Sequence, residues 1–230
     1  MELASSRVLR VFYLFIIFIS SHIVTGCSQL KEEAPVNQAL LDGIEQRRND
    51  PANLRAVDSS LALLKNGDVV VRTGNDITSY MLCQLNQKDK TYSHCGVVMM
   101  EHGYPFVYHS IGGEANPDAR IRRDSASCWF SPADNLGFGI ARFDMTDSTI
   151  SSLGGIVRQI YRERRKFDMD FDLATDDRLY CAEFVYKAVN HATANNTYIT
   201  PVTYFGHSFV GIDNIFLSPH ARAICQIRFK

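Results

Sequence analysis

"TYSHCGVVMMEHGYPFVYHS", residues 91–110, holds two short runs of β-branched, aromatic and methionine side chains around a tight break. The break, Glu101-His102-Gly103-Tyr104, carries the glycine that a hairpin turn needs, so the pattern predicts antiparallel strands over 91–100 and 105–113. Side chains alternate along a strand. Tyr92, His94, Gly96 and Val98 are thus assigned to one face, and Ser93, Cys95, Val97 and Met99 to the other. On the returning strand Val107, His109 and Ile111 share a face, so His94 and His109 can stand side by side.

Working outward, "KNGDVVVR" (65–72) has turn chemistry at Asn66-Gly67 and then a β run at 69–71. Helical patterns precede it at 36–48 and 51–64, the second opened by Pro51 after Asp50 as cap, and Asp76 caps a helix over 76–86. Residues 114–135 carry no clear period. A strand is predicted over 137–144. A helix follows over 148–165, with Leu153, Ile156, Val157, Ile160 and Tyr161 on one stripe. A second long helix, 181–194, repeats Phe184, Val185, Ala188 and Val189 at helical spacing, and Ala223, Cys225, Ile227 and Phe229 alternate as a last strand. This order gives an α+β fold, a mainly antiparallel sheet packed on helices.

The N-terminus has arginines at 7 and 10, an apolar run from Val11 to Ile19 and small residues up to Cys27. The run is short of the ~20 residues a bilayer requires, so it reads as a secretory signal rather than a spanning helix. Val24-Thr25-Gly26-Cys27 resembles a bacterial lipobox, which makes Cys27 the lipidated first residue of the mature chain. Ser28 after it, rather than aspartate, points to the outer membrane, facing the periplasm. The expected division is a signal at 1–26, a polar tether at 27–35, a helical extension at 36–62 and one domain over 63–230. Formal charge is −1, with 24 basic and 25 acidic residues, and "RERRK" (162–166) sits at a helix end facing water, so nucleic acid is not an expected partner.

Cys83, Cys95, Cys128, Cys181 and Cys225 remain, with no C-x-x-C pair to hold structural zinc. Cys181 differs from the rest because it opens a helix, where unpaired N–H groups and the helix dipole lower a thiol's pKa. A catalytic thiolate also needs a base and a group that orients the base. Histidine serves both roles, and His94 and His109 are the pair that strand geometry brings together. A zinc site built from the same trio would need His spacings that are absent, and no cofactor is expected. Asp168, Asp170 and Asp172 lack the glycine and glutamate of an EF-hand loop, so calcium is not expected either.

Taken in order, "LKNGDVVVR", "TYSHCGVVMM", "FVYHSIGG" and "FDMDFDLATDDRLYCAEFVYKAV" resemble the circularly permuted papain-like cysteine hydrolases of the YiiX and YaeF type, relatives of NlpC-type cell-wall peptidases. The resemblance runs from about Leu63 to Val189. It implies Cys181 as nucleophile, His94 as general base and His109 as the orienting third residue, where the family often has glutamate or another polar group. Asp68, Tyr92 and Tyr180 are candidates for substrate contact, Asp68 equally for a turn carboxylate. The implied activity is cleavage of an amide in a peptidoglycan-derived peptide through an acyl-enzyme. Two other readings stand beside it: a lipid acyltransferase or phospholipase using the same site, and a lipoprotein that binds an amino acid or peptide without cutting it. All catalytic versions require the Cys181 sulfur and the His94 ring to meet.

Overall fold

In a computed structural model, residues 37–113, 116–204 and 206–230 are described. The signal, Cys27 and the tether lie outside them. Two helices lead in, α1 (Gln38–Asn49) and α2 (Pro51–Leu61), the second with Asp50 as N-cap accepting from the Ala52 N–H at 2.7 Å. The sheet then starts with β1 (Val69–Gly74). After it come α3 (Ile77–Cys83), β2 (His94–Glu101) and β3 (Tyr104–His109). Next are β4 (Arg122–Ser125), α4 (Ala126–Trp129), β5 (Asn135–Phe143), α5 (Asp147–Arg162) and α6 (Cys181–Thr193). The chain closes with a two-stranded ribbon, β6 (Val202–Tyr204) and β7 (His207–Phe209), then α7 (Ile212–Phe216) and β8 (Ala221–Arg228).

The main sheet has six strands in the order β4-β3-β2-β1-β5-β8, and every neighbouring pair is antiparallel. β1 is central, which explains its unbroken valine run: Val69, Val70 and Val71 are all fully buried because both faces of the sheet are covered. Val69, Val71, Cys95, Val97 and Met99 face a layer containing Leu153 and Val157 of α5 and Phe184, Val185 and Ala188 of α6. Val70, Val98, Val107, Phe138 and Ile140 face the opposite layer, made of Val57, Ala126, Trp129, Phe130 and Phe229. The hairpin between β2 and β3 turns at His102 (φ 51°) and Gly103 (φ 86°), two left-handed residues that match the right-handed twist of the flanking strands.

Several element ends fall a few residues from the sequence pattern, and two of these differences bear on the site. β2 begins at His94 rather than at 91, because Tyr92 turns into the helix-covered layer, edge-on to Phe216 at 5.1 Å. Tyr92 therefore does not share the His94 face. β3 ends at His109, where the next residue leaves the ladder and Ser110 Oγ donates to the Leu179 carbonyl at 2.5 Å. That contact fastens the segment leading into α6 to the strand that carries His109. The stretch 114–135, featureless in sequence, supplies β4 and α4. Among the described residues no helix is long and apolar enough to cross a membrane.

Candidate functional site

β2, β3 and β4 present a chain of three side chains on one face of the sheet. His94 Nε2 lies 3.0 Å from His109 Nδ1, and His109 Nε2 lies 2.9 Å from Asp124 Oδ2. Register explains the meeting: His109 pairs with Arg122 and Val107 with Asp124, so the Asp124 side chain shares the face of His109. Gly96 makes room for it. A Cβ there would fall 2.6 Å from Val107 Cγ1 and 3.0 Å from His109 Cβ, so any side chain at 96 would push His109 aside. Trp129 covers the pair, stacked on His94 with centroids 5.0 Å apart and edge-on to His109 at 4.7 Å. The indole excludes water from both imidazoles.

The electrostatics fix the direction of this relay. Asp124 is held down to about 2, first by the hydrogen bond from His109. An ionised carboxylate only accepts, so His109 donates from Nε2. Burial lowers the pKa of His109 and holds that of His94 well below the ordinary imidazole range, so both rings are neutral at neutral pH. His109 Nδ1 is then an acceptor, and His94 donates to it from Nε2. What remains is the bare lone pair of His94 Nδ1, which has no hydrogen-bond partner among the described residues. The arrangement can take up one proton at His94 and stabilise the resulting cation through His109 and Asp124.

Cys181 is the first residue of α6, behind Tyr180 as N-cap, and Glu183 Oε2 accepts the Tyr180 N–H at 3.1 Å. Its thiol is held below its ordinary pKa, first by the Cys95 thiol, and also by the backbone N–H groups of Cys95, Ala182 and Cys181 itself; burial opposes them. Cys95 moves the other way, raised by burial and by the Cys181 sulfur. The sulfur thus rests at the head of β2, beside the N–H of the residue that follows His94. It makes no hydrogen bond to His94. Cys95 points into the helix-covered layer and His94 points to Trp129 on the opposite face, because consecutive strand residues alternate. The structure brings His94 and His109 together as the pattern requires. It leaves the thiol and the imidazole on either side of one strand.

The three residues considered for substrate contact have other partners here. Asp68 is fully buried and ion-paired to Arg142 through two hydrogen bonds of 2.7 and 2.8 Å, while Asp68 Oδ2 also accepts the Lys65 N–H at 2.8 Å. It ties the entry of β1 to β5, a turn carboxylate with a counterion. The Tyr180 hydroxyl accepts the Val210 N–H at 2.9 Å deep in the core, and the Tyr92 hydroxyl accepts from Gln226 Nε2 at 3.1 Å. Asp168 turns inward, accepting the N–H groups of Asp170 and Asp172 at 2.9 and 2.7 Å, which shapes the approach to α6. All five described cysteines are free thiols. Sequence reasoning missed Asp124 and Trp129. Asp124 sits among arginines in "RIRRDS" like any solvated charge, and only the pairing of β3 with β4 distinguishes it.

No family model matches the chain, and no curated protein matches it. Among solved structures it is similar to a protein described as metalloprotein YiiX from Escherichia coli O157:H7, with 16% sequence identity and a TM-score of 0.58. The match covers 71% of this chain and 98% of that one. At this identity the likeness establishes a shared fold.

Proposed function

We propose that this protein is a cysteine hydrolase that cleaves an amide in a cell-wall-derived peptide, held at the outer membrane by lipid on Cys27. One observation carries the reading: the Asp124–His109–His94 relay leaves a bare imidazole nitrogen one residue away from the N–H that meets the Cys181 sulfur. Two buried imidazoles ending on a partly exposed carboxylate contribute nothing to packing that apolar residues would not, and a base oriented by further groups is what an activated thiol requires. Catalytic hydrogen bonds are commonly open in the free enzyme and close on substrate. The reading requires the sulfur to leave Cys95 and the His94 ring to turn toward it at the head of β2, since in the structure they lie on either side of that strand.

The steps then follow from the groups present. His94 Nδ1 takes the thiol proton, and the sulfur attacks the carbonyl. The N–H of Cys181 donates to the oxyanion. His94 returns the proton to the leaving amine, which departs and leaves a thioester on Cys181. Water, deprotonated by His94, attacks the thioester; the acid is released and the thiol restored. YiiX is described as a metalloprotein, but the residues here do not fit a metal. His94 Nε2 and His109 Nδ1 share one hydrogen bond and Asp124 occupies His109 Nε2, so the three side chains spend their donor atoms on one another, and no group of three His, Cys, Asp or Glu side chains among the described residues is arranged to hold a metal ion.

The test incubates the full-length protein with purified sacculi and, separately, with phospholipid vesicles, followed by mass spectrometry of both. Trimmed muropeptides that disappear with Cys181→Ala and with His94→Ala are expected. Turnover that survives Cys181→Ala refutes the mechanism, and lost acyl chains with intact muropeptides move the substrate to lipid.

A further inference from the structure

Beside the two histidines lies a cation without a counterion. Arg72 pairs with His94 across β1 and β2 and shares the face of Val70, so its side chain rises over the same face as the relay. Its guanidinium carbon stands 4.5 Å from the centre of the Trp129 ring. Among the described residues the guanidinium makes no hydrogen bond and no ion pair. Its neighbour Arg122 differs, since Arg122 Nη2 meets Asp124 Oδ2 at 2.9 Å. Burial lowers the pKa of Arg72, with Asp134 and Asp124 near enough to favour its charge but not to bind it. A second observation is independent of the first. Trp129 is 1% exposed, and its indole Nε1–H is buried with no partner. Leaving such a donor unpaired costs about 1–3 kcal/mol unless something else meets it.

We propose that Arg72 and the Trp129 N–H form a subsite for one carboxylate of the substrate, alongside the His94–His109 pair. The guanidinium fork stands over the ring whose edge carries the unpaired N–H, and together they offer donors for the two oxygens of a single carboxylate. The ionised Asp124, held by His109 and Arg122, together with Asp134, keeps the local charge too low for a phosphate dianion. This deepens the hydrolase reading and rests on it for the word substrate: the peptide acted on presents a free carboxylate, terminal or side-chain, at the site.

Trp129 is the only tryptophan of the chain, so its fluorescence reports on this site alone. The full-length Cys181→Ala variant, which binds but does not turn over, is titrated with N-acetylalanine, with N-acetylalanine amide and with inorganic phosphate. Expected is a saturable change with N-acetylalanine only. Adding Arg72→Met should weaken it about tenfold or more, with Arg72→Lys in between, because the point charge remains while the fork is lost. Thermal unfolding of each variant verifies that it is folded. Equal response to the amide, stronger response to phosphate, no saturable response, or unchanged affinity in folded Arg72→Met each overturns the subsite. Binding as expected in a protein that trims no sacculus would instead retain the carboxylate site and remove the hydrolase reading.

Discussion

Replacing Asp124 with asparagine keeps the shape of the relay and removes the charge at its end. In the folded protein Asp124 titrates at about 2, against an ordinary 3.8, chiefly because His109 donates to it. At about 1.4 kcal/mol per unit, that depression is worth on the order of 2 kcal/mol of stability after allowing for screening at a side chain 28% exposed. Burial lowers the pKa of His109, so near neutral pH the partner is an N–H donor rather than a cation, which argues against a larger figure. The sign follows from linkage. A carboxyl with a depressed folded pKa stabilises the protein above its unfolded value of 3.8, and that stability is lost as pH falls through about 2. Urea unfolding followed by Trp129 fluorescence should show wild type ahead of Asp124→Asn by about 2 kcal/mol near pH 6. The gap should narrow steadily below about pH 4. A difference that is constant with pH, or that widens in acid, refutes the assignment of Asp124 as the ionised end of the relay.

Cys95→Ala should slow alkylation of Cys181 by iodoacetamide near neutral pH, because it removes the largest influence lowering that thiol's pKa; faster or unchanged labelling, with Cys83 at about 11 as the unreactive internal reference, would contradict it. Glu183, fully buried and pushed up from 4.5 to about 7 by burial, withdraws stability as pH rises through that window. Glu183→Gln, which can still accept the Tyr180 N–H, should therefore gain about 1–2 kcal/mol on wild type above about pH 7 and nothing below about pH 4.5, measured by urea unfolding across pH. Asp68→Ala should cost about 3–5 kcal/mol by stranding Arg142 and the Lys65 N–H, yet leave Cys181 labelling in the folded protein unchanged. A loss under about 1 kcal/mol would mean that the pair does not anchor β1.

Much of the architecture is legible in the chain because local chemistry and tertiary packing agree there. Asp50 and Asp76 cap the helices that their positions announce, Gly103 turns the hairpin, and Leu153, Val157 and Ile160 of the predicted stripe face the sheet, with Ile156 partly buried beside them and Tyr161 left exposed at the stripe's edge. The alternation of β3 correctly puts His109 with Val107, and the pair His94–His109 follows from it. The pattern fails at Tyr92, where period-two counting continues past the true strand end; nothing local marks that end, which is decided by a ring of α7, Phe216, far along the chain. Asp124, Trp129 and Arg72 were equally hidden, since an aspartate among arginines and a single tryptophan acquire meaning only from the strand beside them.

By itself the sequence determined the candidate side chains and the elements that carry them: Cys181 at a helix start and two imidazoles on facing strands, because helix caps and strand alternation depend on residues close in the chain. Only the tertiary structure decided which of them touch. It joined His94 to His109 and Asp124 under Trp129 and set Cys181 against Cys95 instead. Strand register and the face on which a helix packs are set by the whole core at once, and a shift of one residue moves a side chain from one side of a sheet to the other.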